Sequence, residues 1–515
     1  MKARISLLQV LLLCRQIAAI PSGFRPLFQL DLDHSQAVVI APSEEQSPPT
    51  VSLRRKQDDA LCEARTEHYT GSVPLDHGKE IFYCMKPSTM SSKYLGFNAA
   101  AALQIPIMQR FFESMDSPKG DPIIIWLSGG PGGASTFAAM TEVGPCFINT
   151  TDNTTYYNPY NWAKHANLLI VDQPAGVGFS KPSSNASFRV ETLEQASVDF
   201  NIFLHKFFTL AFPELAENDI HLAAESYGGR WGPAFVHHLV GLQNVHAEIS
   251  IKNPIKSLIL VNAVIGALGG LLTTADYEFG CTDQGKAVEL GLRFNDTACE
   301  ALQKLGPQCE RYAGLCEREN DLEVCRDASK FCQEKVGVWM DLKGRSPYNI
   351  QNPCLDPFGL CIGSIPAVED FFSSEKVLHK LGRDDYPYSI VSTDILEAFA
   401  TSGAMTQSVL RDVEDLIEHT PVRMLFLNGD LDALVITSGQ KRIVDMIPWS
   451  GQLDYRQQQW RDWHYTNSDG EKIRGGQVKN STKLRFVSFD GAGHMVPQDQ
   501  PEGALAVLTE WLTPE

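Results

Sequence analysis

A serine, an aspartate and a histidine that could together perform acyl transfer occur in that order along this chain of 515 residues. Ser226 follows an apolar run and precedes two glycines, a pattern typical of a strand, a tight turn and a helix that exposes a nucleophilic hydroxyl. Asp432 and His494 each follow a later apolar run. A histidine can take the serine proton, and a carboxylate can orient that histidine.

Each of these signals has an ordinary structural alternative when it stands alone. The serine could lie in a simple turn, Asp430 and Asp432 could be a solvated pair, and His494 could be a surface residue. Ala224 stands where the motif G-x-S-x-G has its first glycine, but alanine is small enough to fit. The order Ser, Asp, His after successive apolar runs is the one that an α/β-hydrolase fold requires, so it favours a triad over three unrelated residues.

The elements that must position these residues form a repeating pattern. Short β-branched and aliphatic runs alternate with longer amphipathic stretches, which predicts a mostly parallel central sheet flanked by helices. The predicted strands are 122–127, 168–172, 220–224, 257–261, 422–427 and 484–489. Turn-rich loops follow them, where parallel sheets place ligand sites.

The strand pattern stops over about 266–394, where a cysteine-rich segment takes its place. We expect this insertion to fold over the active edge of the sheet as a lid. The alternative is a separate domain stapled by disulfides. The catalytic domain is expected to span 59–515, with order beginning near Cys62.

The N-terminal segment is typical of a targeting sequence. Residues 1–20 combine Lys2 and Arg4 with an apolar stretch over 5–13 and then small residues, which predicts a signal peptide. That stretch is shorter than the roughly 20 apolar residues that span a bilayer, so a membrane anchor is disfavoured. Residues 21–58 are rich in Pro, Ser and acidic residues and are expected to be a propeptide or a disordered arm.

Cysteines and glycosylation sequons also favour the secretory pathway. Of twelve cysteines, eight lie over 281–361 without C-x-x-C spacing or neighbouring histidines, which favours disulfides over a zinc cluster. Loss of Cys14 with the signal peptide would leave an odd number, so one thiol stays unpaired or cleavage falls elsewhere. The predicted glycosylation sites are Asn149, Asn153, Asn185, Asn295 and Asn480. These features predict a secreted protein, or a vacuolar or lysosomal one.

Charge and motifs exclude several other functions. A net charge of −18 argues against nucleic-acid binding, which depends on clustered Lys and Arg. No later segment is apolar enough for a membrane span, and no H-E-x-x-H motif indicates a metalloprotease. We therefore predict no nucleic acid, no membrane, no metal and no cofactor. The oligomeric state stays open between monomer and homodimer.

The chain resembles the serine carboxypeptidase family, and most of all its secreted acidic fungal members. The resemblance covers about nine-tenths of the chain, from Cys62 onward. It is carried by the blocks FFESMDSPKGDPIIIWLSGGPGGAS, NPYNWAKHANLLIVDQPAGVGFS, AESYGGRWGPAF, NGDLDALV and GAGHMVPQDQP.

The resemblance implies a role for each matching residue. Ser226 would attack the carbonyl, His494 would take and return the proton, and Asp432 rather than Asp430 would orient the histidine. The oxyanion hole would be formed by the backbone N–H groups of Gly130 and Tyr227.

The family also reads the free C-terminus of its substrate, with an Asn and two Glu joined by hydrogen bonds. The corresponding residues are Ser128, Glu142 and Glu225, and Met495 is expected to line the leaving-group pocket. Two adjacent carboxyls that share a proton can donate to a substrate carboxylate, an arrangement that works best in acid.

The sequence departs from the family at Ser128, where the family has Asn, and at Gly133, where it has Cys. Loss of the amide could weaken the grip on a carboxylate by about 1.5–3 kcal/mol, and a bridging water could restore part of it. The missing cysteine removes a bridge between this loop and the insertion. Cys62 or an insertion cysteine is then expected to have a different partner.

The resemblance therefore implies a serine carboxypeptidase that cleaves the C-terminal bond of peptides and proteins through an acyl-enzyme. An acyltransferase or esterase with the same triad is the first alternative, and Ser128 favours it. An inactive binding or protective protein on the same fold is the second, against which stand the retained triad and glutamates.

Overall fold

The computed structural model describes residues 52–56, 61–62, 68–85, 114–117, 119–266, 273–335, 342–354, 360–384 and 386–513. The predicted signal peptide lies outside these residues. Most of the predicted arm does too, but its last part contains β1 (Ser52–Lys56), which pairs antiparallel with the next strand. Regular structure thus begins before the expected start near Cys62.

The strands form one large sheet, which includes β1, and one small hairpin. The strands after β1 are β2 (Tyr69–Pro74), β3 (Glu80–Met85), β4 (Ile123–Leu127), β5 (Cys146–Ile148), β6 (Thr155–Tyr157), β7 (Asn167–Asp172), β8 (Ile220–Glu225), β9 (Ile255–Val261), β10 (Arg423–Gly429), β11 (Arg461–Thr466), β12 (Lys472–Asn480) and β13 (Leu484–Phe489). Over the described residues the large sheet has 11 strands in the order β1-β2-β3-β7-β4-β8-β9-β10-β13-β12-β11, and β5 pairs with β6.

The centre of the sheet, from β7 through β4, β8, β9 and β10 to β13, is parallel, and the flanking pairs are antiparallel. These six central strands are the ones that the apolar runs predict. All residues of β4, β7 and β8 are buried, because helices cover both faces of a parallel sheet. The outer strand β11 is largely exposed, so it carries no continuous apolar run.

Helices connect the strands and cover the sheet. The helix Gly228–Val245 packs on β8 and β9 and contacts the helices Leu193–Lys206 and Leu410–His419. The helices are α1 (Ser135–Thr141), α2 (Leu193–Lys206), α3 (Gly228–Val245), α4 (Thr273–Cys281), α5 (Lys286–Glu289), α6 (Asp296–Glu319), α7 (Leu322–Lys335), α8 (Ile365–Ser373), α9 (Glu375–Leu381), α10 (Thr393–Ser402), α11 (Leu410–His419), α12 (Thr437–Met446), α13 (Gln452–Gln457), α14 (Val496–Asp499) and α15 (Pro501–Leu512). Among the described residues, none of these helices has the length and apolarity needed to cross a membrane.

The insertion is helical and runs from α4 into α10. Four disulfides lie within it: Cys281–Cys299, Cys309–Cys332, Cys316–Cys325 and Cys354–Cys361. It is not a detached domain, because backbone hydrogen bonds join its segment 346–350 to the loops after β10 and β13. The insertion therefore contacts the edge of the sheet where parallel strands end.

Cys62 pairs with Cys146 rather than with the insertion. The loop that contains Gly133 is nevertheless tied to the end of the insertion, since Gly133 and Val391 form an antiparallel bridge. Ala134 N–H donates to the carbonyl of Ile390 at 2.9 Å. Backbone pairing connects the two segments where the resemblance would place a disulfide.

The five predicted glycosylation sites lie at the surface of the described chain. Asn149 is partly buried, and the others are exposed: Asn153, Asn185, Asn295 and Asn480. Glycosylation of each remains a prediction.

Candidate active site

Ser226 occupies the tight turn between β8 and α3. Its φ of 59° lies in the left-handed region, which non-glycine residues rarely adopt and which is common at strained functional turns. Backbone hydrogen bonds hold the turn: Ser226 N–H donates to Val261 at 3.0 Å, and Ser226 carbonyl accepts from Val264 at 2.8 Å. A Cβ on Gly228 would lie 3.1 Å from the Cβ of Ala224, so small residues at both positions let the helix approach the strand.

The glycine turn after β4 lies against Ser226. A Cβ added to Gly129 would lie 2.5 Å from Tyr227 N and 2.6 Å from Ser226 Cβ, so no larger residue fits there. Gly130 has a φ of 116°. Within the described part of the chain, neither Gly130 N–H nor Tyr227 N–H donates to a backbone carbonyl. Neither N–H group therefore has a backbone acceptor among the described residues, and their role as oxyanion donors stays a prediction.

His494 lies after β13 and Asp432 after β10, at the same edge of the sheet as Ser226. His494 Nδ1 is 2.7 Å from Asp432 Oδ2, and both side chains are buried. Asp432 also accepts hydrogen bonds from Asn262 Nδ2 at 2.6 Å and from Leu434 N–H at 2.7 Å. These contacts orient the imidazole, and its Nε2 has no hydrogen-bond partner among the described residues.

Asp430, the other carboxylate of the β10 loop, points elsewhere. Its side chain forms an ion pair with Lys286 of the insertion at 3.1 Å and accepts from Gly491 N–H at 2.8 Å. The structure therefore brings Asp432, and not Asp430, against the imidazole.

Glu142 and Glu225 form a buried carboxyl pair, with 1% and 6% of their surfaces exposed. The two carboxyls act on each other's protonation, and neither oxygen of Glu142 nor Oε1 of Glu225 has a hydrogen-bond partner among the described residues. Burial raises the pKa of Glu142 to about 7. Burial and the charge of Glu142 raise the pKa of Glu225 well above its usual range. The charges of Asp432 and His494 act on this pair, which places it in the same site.

Ser128 and Met495 are also at this edge of the sheet, and both are buried. Ser128 Oγ accepts a hydrogen bond from Trp126 Nε1 at 3.2 Å, which leaves its hydroxyl hydrogen free to donate. Met495 directly follows His494 and is the N-cap residue of helix α14. No contact of either side chain with the carboxyl pair is described, so their ligand-binding roles remain proposals.

The insertion supplies residues that the sequence did not single out. Tyr348 carbonyl accepts from His494 N–H at 2.6 Å, and the Tyr348 ring stands edge-on to the imidazole, with centroids 5.2 Å apart.

Asn262 is another unpredicted residue. It directly follows the apolar run of β9, and a polar residue at that position of a parallel sheet was the available signal.

The site as a whole has the groups that acyl transfer needs. A strained serine, an imidazole held by a buried carboxylate and two N–H groups with no backbone acceptor among the described residues lie at the same edge of the sheet. The described residues contain no group of three or more His, Cys, Asp or Glu side chains arranged to hold a metal ion.

Comparison with known proteins shows which family this chain resembles. The family model for serine carboxypeptidases matches residues 86–514. The chain is 32% identical over 408 residues to the vacuolar serine-type carboxypeptidase ATG42 of Saccharomyces cerevisiae, covering 78% of this chain and 76% of that protein. It is 30% identical over 424 residues to carboxypeptidase Y homolog A of Chaetomium globosum, covering 82% and 72%.

A solved structure supports the fold. The crystal structure of Kex1(delta)p, a prohormone-processing carboxypeptidase from Saccharomyces cerevisiae, matches with a TM-score of 0.66 and 22% identity. The match covers 87% of this chain and 91% of that one. The architecture predicted from the sequence, an α/β-hydrolase fold with a cysteine-rich insertion, is confirmed.

Proposed function

Because this chain belongs to the serine carboxypeptidase family and is a serine-type carboxypeptidase, we propose that it cleaves the C-terminal bond of peptides and proteins through an acyl-enzyme on Ser226. The observation that carries the proposal is the buried Asp432–His494 contact at 2.7 Å, at the same edge of the sheet as the strained Ser226 turn.

The proton transfers follow from the hydrogen bonds of the imidazole. His494 donates its Nδ1 hydrogen to Asp432, so Nε2 carries the lone pair that can take the proton of Ser226. The serine oxygen then attacks the substrate carbonyl, and the protonated imidazole returns its proton to the leaving amine. The N–H groups of Gly130 and Tyr227 would hold the negative charge on the carbonyl oxygen.

The specificity for a free C-terminus is proposed to come from Glu142 and Glu225. A protonated carboxyl donates a hydrogen bond, whereas an ionised one repels the terminal carboxylate of the substrate. The raised pKa of both glutamates favours the donating form in acid. This supports a peptidase that works best at acidic pH, with Ser128 as a weaker third donor and Met495 beside the leaving group.

An acidic working pH fits the proposed location. The ATG42 relative is named as vacuolar. We propose that this chain enters the secretory pathway and reaches either the exterior or a vacuolar or lysosomal compartment. The predicted signal peptide and the disulfides support this route.

A test begins with the nucleophile and its partners. An organophosphonate should label Ser226, and Ser226→Ala should abolish labelling. Asp432→Asn should reduce turnover by orders of magnitude, as expected for loss of the residue that sets the imidazole tautomer. The matched control is Asp430→Asn, which removes a carboxylate of the same loop. Labelling of another residue, or a larger effect at Asp430 than at Asp432, would refute the assignment.

A second candidate, an acyltransferase or esterase with the same triad, is favoured by Ser128 in place of the family's Asn. Blocked dipeptides with free or amidated C-termini, with and without an added acyl acceptor, distinguish the two. A preference for amides and esters combined with efficient transfer to the acceptor would favour the second candidate.

A further inference from the structure

Asp499 ends helix α14 and joins two separate parts of the site. One of its oxygens, Oδ2, accepts hydrogen bonds from Gly493 N–H at 2.7 Å and from Asn349 Nδ2 at 2.9 Å. Gly493 immediately precedes His494, whereas Asn349 belongs to the insertion. The carboxylate therefore connects the loop of the imidazole to the insertion.

The loop and the insertion are packed closely at this point. A Cβ on Gly493 would lie 2.1 Å from the carbonyl oxygen of Tyr348 and 2.6 Å from Asn349 Cβ. The same carbonyl accepts from His494 N–H at 2.6 Å. The backbone on both sides of the His494 Cα is thus packed against residues 348–349. Asp499 hydrogen-bonds to both segments.

The charge of Asp499 also acts on the rest of the site. It interacts with the charges of Asp432 and His494. Its repulsion contributes to the raised pKa of Glu142 and of Glu225. A carboxylate here therefore influences both the orientation of the base and the protonation of the carboxyl pair.

We propose that Asp499 is a positioning residue, which clasps the insertion to the His494 loop and so holds the imidazole in place for proton transfer. We call Asn349 and Asp499 the clasp. The proposal rests on the proposed function, because it assumes that His494 is the catalytic base.

Two substitutions at Asp499 separate its hydrogen bonds from its charge. Both donors share Oδ2, so Asp499→Asn can keep both bonds through its single amide oxygen while it removes the charge. Asp499→Ala removes both. We expect Asp499→Ala to lower kcat about tenfold to 100-fold, the usual effect of a lost charge-assisted hydrogen bond. Asp499→Asn should retain kcat within about threefold of wild type.

The pH profile gives a readout that a purely structural role would not change. With the charge of Asp499 gone, the pKa of Glu142 should fall. For Asp499→Asn, activity on a substrate with a free C-terminus should then decline at a lower pH than in the wild type, and activity on the matched amide should not.

The partner residue and a control complete the design. Asn349→Ala should lower kcat less than Asp499→Ala, and the double variant should be no worse than Asp499→Ala, because both remove one connection. Asp445→Ala is the control, since Asp445 forms an ion pair with buried Lys479 at 2.7 Å, outside the site. It should lower the melting temperature and leave kcat and the pH profile unchanged.

The measurements are kcat, KM and the pH profile for each folded variant, with His494→Ala alongside. Wild-type kcat in Asp499→Ala, an Asp499→Asn defect as large as that of Asp499→Ala, or additive effects of Asn349→Ala would overturn the clasp. If Asp499→Ala does not fold, Asp499→Asn and Asn349→Ala still decide. Activity retained by His494→Ala would instead refute the proposed function.

Discussion

The carboxyl pair predicts a specific dependence on pH for substrates with a free C-terminus. Glu142 has a pKa raised to about 7, chiefly by burial, and the pKa of Glu225 lies well above its usual range. As pH rises, Glu142 should therefore lose its proton first, while Glu225 keeps its own. The substrate carboxylate is ionised throughout, since its pKa is about 3.5.

The size of the effect follows from the titration of one group. Below pH 7 most molecules have a protonated Glu142 that can donate to the substrate carboxylate. Above pH 7 that fraction falls tenfold for each pH unit, so kcat/KM for a free acid should fall about tenfold by pH 8 and about 100-fold by pH 9. The matched amide carries no terminal charge, so the ratio of acid to amide activity isolates this effect from ionisations that affect both substrates alike.

The substitution that tests this is Glu142→Gln, because the Gln amide donates a hydrogen bond at every pH. We expect the acid-to-amide ratio of this variant to stay constant from pH 5 to 9. The matched control is Glu225→Gln, in which Glu142 still titrates and the decline above neutrality persists.

The assay is kcat/KM for a blocked dipeptide and its amide, measured in wild type and both variants at half-unit steps. A constant ratio in the wild type would mean that the pair does not read the C-terminus. A decline that persists in Glu142→Gln but disappears in Glu225→Gln would reverse the order of ionisation and refute the reasoning from burial.

Three further predictions test neighbouring features. Asn262→Leu should lower kcat about tenfold to 100-fold, because Asp432 loses a 2.6 Å donor in a fully buried place; a kcat within twofold of wild type would contradict this. Ser128→Asn should raise kcat/KM for free acids by a similar factor and leave amides unchanged; equal effects on both would contradict it. Burial lowers the pKa of His221 to about 3 from the value of 6.5 expected in the unfolded chain. As pH falls below 6.5, the unfolded chain therefore binds a proton that the folded chain does not, and the free energy of unfolding should fall by about 3 kcal/mol at pH 4.5. His221→Gln should remove that loss in denaturant unfolding at pH 7 and 4.5, and an unchanged loss would contradict the prediction.

The central strands could be predicted because burial on both faces leaves no room for polar residues. The run in β4, Ile123–Leu127, is buried at every position, so the apolar stretch marks the strand. Strand β12, Lys472–Asn480, alternates between exposed and partly buried residues over its first four positions only, and its Lys, Arg and Gly content resembles a loop. The antiparallel flank could therefore not be predicted from apolar runs, because its strands are partly exposed and carry polar residues. The central strands could be predicted because they are buried.

The site divides in a similar way. Ser226, Asp432 and His494 could be singled out because each follows a buried strand, and the sheet brings those strand ends together. Asn349 and Asp499 could not, since 150 residues separate them and neither lies in a pattern of its own. The same holds for the Cys62–Cys146 disulfide, because connectivity depends on the folded chain and not on spacing.

The carboxyls of this site differ in the hydrogen-bond donors around them, and this difference sets their protonation. Asp432 accepts from three donors, which match its negative charge beside the imidazole. Among the described residues, both oxygens of Glu142 and Oε1 of Glu225 lack a hydrogen-bond partner, so burial favours the protonated form of these carboxyls. A site with this division needs acid to protonate the carboxyl pair that is proposed to bind the C-terminus of the substrate. Acid preference should therefore belong to the recognition of a free C-terminus, and cleavage of amides and esters should remain possible near neutral pH.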